Sequence, residues 1–398
     1  MFRTIARTFL NARFFLANKL NRVTIIVRVG LIFHPTCRCF LHRSTSDQSF
    51  MPIKIQLRQP PDGTTPPPLQ RYTWPLPEAH ITDETVDAVA YRWDDLEVIN
   101  EDRSRPAPVQ FIWDPVGDSE TRYELSVSRS PDLADAIVID NLTDCQEDVY
   151  HLYLDTQYFW RVRALDKTAA ESAIHSFTTS ARTPRWIHVE GATNVRDLGG
   201  WPLADGTGMV RQGLIYRGSE LNIRLPVGDD SLAYMTNKLG IRTDLDFRGA
   251  SEKASPALDE ADVDWLNIPI APYGSIAEEA MAEPYRETFK VLATADRYPI
   301  YLHCVGGADR AGTVALLING LLGVSIDNLI TDYELTSLAI WGERSGNAID
   351  FINLLRALGD FGALQGDDAR EAVSAYLSHI GVSEVEMDMI RRIMIERP

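Results

Sequence analysis

The sequence predicts a multidomain protein: an all-β sandwich in its first half, then an α/β domain whose central, mostly parallel sheet is flanked by helices. Three observations carry this. Between Val109 and Thr179, short runs of alternating apolar residues are separated by turn signals, as in a two-sheet sandwich. Beyond residue 182, apolar strand-like runs alternate with helical periodicity, as in a sheet covered on both faces. Finally, 398 residues at 45% hydrophobic content are enough for two or three cores.

Charge and cysteine content narrow the class. A net charge of −17 argues against general binding of nucleic acid or anionic membranes. Residues 1–50 go against this trend, with eight Lys/Arg against a single acid, Asp47. Residues 1–52 are therefore set apart as a basic extension with two readings. It is either a targeting segment, with Val23–Phe33 as an apolar stretch interrupted by Arg28, or an upstream misassigned start with Met51 as the initiator. Four cysteines (Cys37, Cys39, Cys145 and Cys304) do not make a disulfide framework for a chain of this length. Cys37-Arg-Cys39 has the wrong spacing for a zinc or redox pair, so neither metal nor cofactor is expected. No apolar run reaches the 18 residues of a membrane span, and no transmembrane segment is expected. Localisation is left unassigned, the cytoplasm being favoured over export.

In chain order, Pro60-Pro61-Asp62-Gly63 and Pro66-Pro67-Pro68 are loop signals. Strands are expected at Val109–Trp113, Arg122–Ser128, Ala136–Asp140, Tyr158–Ala164 and Ser176–Thr179. Alternation is clearest at Tyr123, Leu125 and Val127 and at Tyr158, Trp160 and Val162. Trp113 and Trp160 are read as core residues, and Cys145 as an incidental thiol. The phrases Phe111-Ile-Trp-Asp-Pro-Val116, Tyr123-Glu-Leu-Ser-Val-Ser128, Tyr158-Phe-Trp-Arg-Val-Arg-Ala164 and Ser176-Phe-Thr-Thr179 resemble a fibronectin type III domain. The resemblance covers 53–181, with 75–105 as an insertion or linker, and implies a separate fold that contributes little to chemistry and is open to a protein partner. Ala181–Arg185 reads as the joint to the next domain, 182–398.

The centre of that domain is His303-Cys-Val-Gly-Gly-Ala-Asp-Arg-Ala-Gly-Thr313. The apolar run Tyr298–Leu302 leads in as a buried strand, and an apolar helix follows Arg310. A glycine-bearing loop between strand and helix points backbone N–H groups and a helix N-terminus at one spot, which favours an anion. A thiol placed there beside a guanidinium is expected to ionise below its usual pKa of about 8.5. Gly306 and Gly307 let the chain curl, and Arg310 is suited to grip two phosphoryl oxygens.

Cys304 and Arg310, with five residues between them, resemble the Cys-x5-Arg signature of protein tyrosine and dual-specificity phosphatases. The form His-Cys-x-x-Gly-x-Asp-Arg-x-Gly is most similar to the bacterial tyrosine/serine phosphatase branch. Further landmarks of that branch occur in order: Gly191–Gly200, Val210–Ser219, Leu239–Arg248 (with Phe247 in place of Leu), and Asp332-Tyr-Glu-Leu-Thr336. The resemblance implies hydrolysis of a phosphorylated protein or small phosphomonoester through a Cys304 phosphocysteine. Arg310 and the loop from Val305 through Gly306, Gly307, Ala308 and Asp309 would hold the phosphoryl group. A general acid is also needed. Asp246 is preferred and Asp309 is its competitor, since Trp201-Pro202-Leu203 lacks the Asp of a Trp-Pro-Asp loop. His303, Asn194, Arg196, Asp197 and Arg248 are assigned supporting roles.

Two departures are visible. Ala311 stands where many members carry the hydroxyl that helps the thiolate leave. Ala308 stands where phosphoinositide-directed members often carry Lys. The alternative reading is a catalytically weak, phosphate-reading binding module.

Overall fold

The computed structural model describes residues 54–72, 101–166, 169–258, 262–362, 364 and 368–397. The basic extension with Cys37 and Cys39, and most of the 75–105 segment, lie outside the described residues. All described residues belong to one unit, Pro52–Pro398.

Two antiparallel sheets come first. Strands β1 (Leu57–Gln59), β2 (Val109–Trp113), β3 (Tyr123–Ser128), β4 (Ile137–Leu142), β5 (Gln146–Val149), β6 (Gln157–Ala164) and β7 (His175–Thr178) are ordered β1-β2-β5 in one sheet and β4-β3-β6-β7 in the other. Burial alternates along β2 and β6 as the pleat requires. Phe111 of the first sheet meets Trp160 and Phe177 of the second edge-on, with ring centroids 4.9 and 5.7 Å apart. Trp113 and Trp160 are buried in this shared core. Strands β1 and β5 are too short or too polar to stand out in the sequence, and pairing with β2 makes them visible.

The second sheet system starts with β8 (Arg196–Asp197), β9 (Met209–Val210) and β10 (Ile215–Gly218). Helix α1 (Asp229–Asn237), β11 (Thr243–Asp246), β12 (Asp264–Asn267), α2 (Glu279–Leu292) and β13 (Ile300–His303) follow. Helices α3 (Arg310–Leu322), α4 (Ile326–Glu334), α5 (Ile349–Gly359), α6 (Arg370–His379) and α7 (Glu384–Met394), with a last strand β14 (Ile395–Glu396), complete the chain. The five-stranded sheet has order β12-β11-β13-β10-β8. Its neighbours are parallel except for β8, which runs antiparallel to β10.

The two faces of this sheet bury different cores because side chains alternate along each strand. Ile215, Leu245, Ile300 and Leu302 join α2, α3, α5, α6 and α7 in the larger cluster. Tyr216 and Tyr301 point the other way, to Met235 of α1. This is an α/β arrangement, a mixed sheet with helices on both faces. Every residue of α3 is buried, which explains why its sequence is apolar all round rather than on one stripe. No helix of the described residues is long and apolar enough to cross a membrane.

The expected joint at Ala181–Arg185 is densely bonded. The Arg185 guanidinium donates to the carbonyls of His151 and Leu152 and to Asp197 and stacks 4.1 Å above the Tyr153 ring. Gln212 exchanges two hydrogen bonds with the Leu154 backbone, at 2.8 and 3.0 Å. Burial, with Arg185 and His188 nearby, pushes the His151 imidazole down to about 3. It therefore works as a neutral acceptor for the His188 N–H, at 2.9 Å.

Candidate active site

Strand β13 lies in the middle of the sheet, and α3 begins at Arg310, so residues 304–309 form the loop at the strand's C-terminal end. Ligand sites of α/β sheets lie at such ends. What shapes the loop is how its carbonyls are held. The Val305 carbonyl accepts from the Glu220 N–H at 2.9 Å. Gly306 accepts from Asn194 Nδ2 at 3.0 Å. Gly307 and Ala308 both accept from Arg217 Nη2, at 2.7 and 3.2 Å. In a trans peptide, one residue's carbonyl and the next residue's N–H point in opposite directions. Pinning four consecutive carbonyls therefore turns the N–H groups of Gly306, Gly307, Ala308 and Asp309 to the opposite side, the geometry of an anion nest.

The clamps are themselves fixed by a buried charge cluster. Asp332, on α4, takes Arg196 Nε at 2.8 Å and Arg217 Nη1 at 2.6 Å. Arg196 Nη1 donates to Asn194 Oδ1 at 2.5 Å. Burial works against the Asp332 carboxylate, but the charges of Arg196 and Arg217 outweigh it and hold its pKa below the usual range. Burial and the neighbouring Arg196 pull Arg217 down to about 10, against the opposing pull of Asp332 and Cys304; it remains a cation at neutral pH.

Only Gly fits at position 307. Its φ is +65°, and a Cβ there would lie 2.2 Å from the Gly218 carbonyl oxygen. Gly306 lies against the ring of Trp341, where a Cβ would come within 3.0 Å.

Cys304 is buried at the end of β13. Arg310, across the loop, is clamped by Glu252 through both terminal nitrogens. Burial alone would lower the Arg310 pKa; the Glu252 hydrogen bonds and the charges of Cys304 and Glu252 reverse this and raise it. His303 Nδ1 lies 3.2 Å from the Cys304 carbonyl oxygen. Its Nε2 lies 2.9 Å from Asp244 Oδ1, a charge contact rather than an aligned hydrogen bond. Burial lowers the His303 pKa, but Asp244 and then Asp246 overcome that and raise it.

The two candidate acids differ in their surroundings. Asp246 is fully buried, and both of its oxygens bind Arg248, at 2.9–3.2 Å. Burial raises its pKa, yet His303 and Arg248 outweigh this and lower it. Arg248 also reaches Glu220 at 3.0 Å, so Asp246 and Arg248 tie the end of β11 to the segment whose N–H holds Val305. Asp309 instead borders a cleft of about 340 Å³ lined by Tyr273, Gly274, Ser275, Asp350 and Asn353. Its Oδ1 accepts from the Tyr273 hydroxyl and from Arg344 Nε at 3.0 Å, and its Oδ2 accepts from Arg344 Nη2 at 3.3 Å.

Of the residues expected to support the site, the fold brings Asn194, Arg196, Arg248 and His303 to the loop or its clamps. Asp197 lies elsewhere: it pairs with Arg185 and accepts from the N–H groups of Gly199 and Gly213, bracing the joint. Glu252, Arg217, Glu220, Asp332, Asp244, Tyr273 and Arg344 were not singled out from sequence. Arg217, Asp244 and Asp332 stand inside family-like stretches, which is the one signal that pointed to them. Among the described residues no group of three or more His, Cys, Asp or Glu side chains is placed to hold a metal ion.

Comparison with known proteins gives the family. The profile described as the tyrosine phosphatase family matches residues 187–396, more than half of the chain. A Cupriavidus necator protein that carries the name tyrosine-protein phosphatase by assignment is 32% identical over 167 residues. The match covers 35% of this chain and 59% of that protein, so the chain spans less than two thirds of its relative's length. Among solved structures, the core catalytic domain of the PP-IP phosphatase Siw14 from S. cerevisiae is 14% identical, with 37% of this chain and 83% of that chain covered and a TM-score of 0.28. TpbA from P. aeruginosa is 17% identical, with 48% and 94% covered and a TM-score of 0.25. On the strength of the profile match, the chain belongs to the tyrosine phosphatase family, a family of cysteine-dependent protein phosphatases.

Proposed function

We propose that the chain hydrolyses phosphate monoesters, with phosphotyrosine in proteins as its main substrate and phosphoserine or phosphothreonine as further ones. The observation that carries this reading is the pinning of four consecutive loop carbonyls between Cys304 and Arg310. It supplies N–H donors for three equatorial phosphoryl oxygens, and such preorganised donors act where charge develops in the transition state.

In the first step the Cys304 thiolate attacks phosphorus and the ester P–O bond breaks. Asp309 protonates the departing oxygen. In the second step water attacks the phosphocysteine, Asp309 takes its proton, and the P–S bond breaks to give phosphate and the thiolate. Asp309 takes the acid role in place of Asp246 because its carboxylate, although paired with Arg344 through both oxygens, borders an open cleft, whereas Asp246 is fully buried against Arg248. Asp246 and Arg248 then act as positioning residues. Ala311 offers no hydroxyl to assist the thiolate. The Thr313 hydroxyl two positions on is committed to the Asp309 carbonyl and the Tyr273 N–H. Breakdown of the phosphoenzyme is accordingly read as the slow step.

Residues 53–181 are read as a fibronectin type III-like sandwich and 182–398 as the catalytic domain. Supporting the first, Tyr158 near the start of β6 accepts the Tyr153 N–H at 2.9 Å, the contact expected of a tyrosine corner. The edge strand β4 leaves Ile137 and Val138 about half exposed, which suits a protein partner.

The test is hydrolysis of p-nitrophenyl phosphate by the full chain in the presence of a chelator, with inhibition by vanadate. Activity that disappears in Cys304→Ser supports the reading. Full activity in that variant would overturn the Cys304 phosphocysteine, and no activity in the native chain with vanadate still bound favours the phosphate-reading module instead.

A further inference from the structure

We propose that Asp102 and Ser104, which precede the family-matched region by more than 80 residues, are positioning residues for the reactive loop and act through Asn194. The proposal rests on the phosphatase reading above. Ser104 falls in the stretch read from sequence as insertion or linker, yet it is 2% exposed. Its Oγ accepts the Asn194 N–H at 2.9 Å and donates to Asp102 Oδ1 at 2.5 Å. Asp102 Oδ1 also accepts the Ser104 N–H at 3.0 Å, and Oδ2 pairs with Arg105 at 2.9 Å. The turn is thus fixed before it reaches the catalytic domain.

Asn194 needs such a partner. It is wholly buried with φ at +60°, a conformation Asn tolerates but does not favour. Its side chain is used at both ends, with Nδ2 donating to the Gly306 carbonyl and Oδ1 accepting from Arg196. Rotation of the Asn194 peptide would therefore move the amide off Gly306 and release the Gly307 N–H from its aim. The same segment grips the loop's other support: the Arg103 N–H donates to the Leu338 carbonyl at 2.6 Å, three residues before the Trp341 ring that packs on Gly306. Two separate bonds from residues 102–104 thus end on structures that touch Gly306.

The loop geometry of the catalytic domain is, in this view, completed from outside it. A buried Asn194 N–H left without an acceptor loses on the order of one hydrogen bond. Full-length Ser104→Ala is expected to bind orthovanadate about tenfold more weakly by calorimetry. Its kcat/KM on p-nitrophenyl phosphate should fall by the same factor. Ser104→Thr, which keeps the hydroxyl, should restore most of both. Because the effect passes through Asn194, adding Ser104→Ala to Asn194→Gly should cost less than about twofold more. Should Ser104→Ala fail to fold, Asp102→Ala carries the same test, with an expected loss of about threefold. Native vanadate affinity in Ser104→Ala, or losses that simply add in the double variant, would overturn the proposal. Turnover by the native chain tests the phosphatase reading, and vanadate affinity tests this one, so the two can fail separately.

Discussion

Glu252 holds Arg310 end to end, with Nη1 to Oε2 at 2.5 Å and Nη2 to Oε1 at 2.7 Å. The two residues are 58 positions apart. A bidentate, charge-assisted pair fixes the plane of the guanidinium as well as its position. Burial raises the Glu252 pKa, but Arg310 outweighs it and the net shift is downward. The pair therefore persists through the neutral range.

Glu252→Gln keeps the shape and removes the charge. We expect kcat/KM on an aryl phosphate to fall about tenfold, with vanadate affinity falling in parallel, because a hydrogen bond to a charged partner contributes about 1.5–3 kcal/mol. Unchanged kinetics in this variant would show that Arg310 is oriented by something else.

Exchange of the acid roles predicts opposite phenotypes for two Asn substitutions. Asp309→Asn should lose about 10²–10⁴-fold in rate on esters with basic leaving groups and much less on activated aryl phosphates. Asp246→Asn should be chiefly a stability variant, costing about 3–5 kcal/mol, since it leaves Arg248 buried without its main partner. The comparison uses aryl phosphates of graded leaving-group pKa alongside denaturant unfolding. A steep leaving-group dependence in Asp246→Asn alone would return the acid role to Asp246.

Gly307→Ala tests the loop backbone. The left-handed φ and the approach to the Gly218 carbonyl oxygen together should cost about 3 kcal/mol. Activity should be lost even where the chain still melts cooperatively. Near-native turnover would mean that the loop tolerates a different path.

His303 sets the sign of one pH effect. Its folded-state pKa is raised, because Asp244 and Asp246 overcome the burial penalty. A raised histidine contributes stability that is fully present below its unfolded value of about 6.5 and is lost as pH rises through the folded value. The Tm difference between the native chain and His303→Gln should thus be largest in mild acid and shrink toward alkaline pH. A gap that widens with pH would show that His303 is held neutral.

The sequence by itself determined what depends on near neighbours. The spacing of Cys304 and Arg310, the strand before them and the apolar helix after them are local features, so the strand–loop–helix unit could be read directly. Period-two alternation likewise located β2, β3 and β6. Only the tertiary structure decided how the loop is aimed and what surrounds each acid. The groups that pin Gly306 and Gly307 come from 112 and 90 positions away, and Ser104 reaches Asn194 across 90. Such pairings are set by which side chains the packed sheet and helices bring within about 3 Å, and nothing local marks them. The same holds for Asp246 and Asp309. Both are carboxylates paired with an arginine, and only full burial against Arg248, or a place beside an open cleft with Arg344, gives them different chemistry.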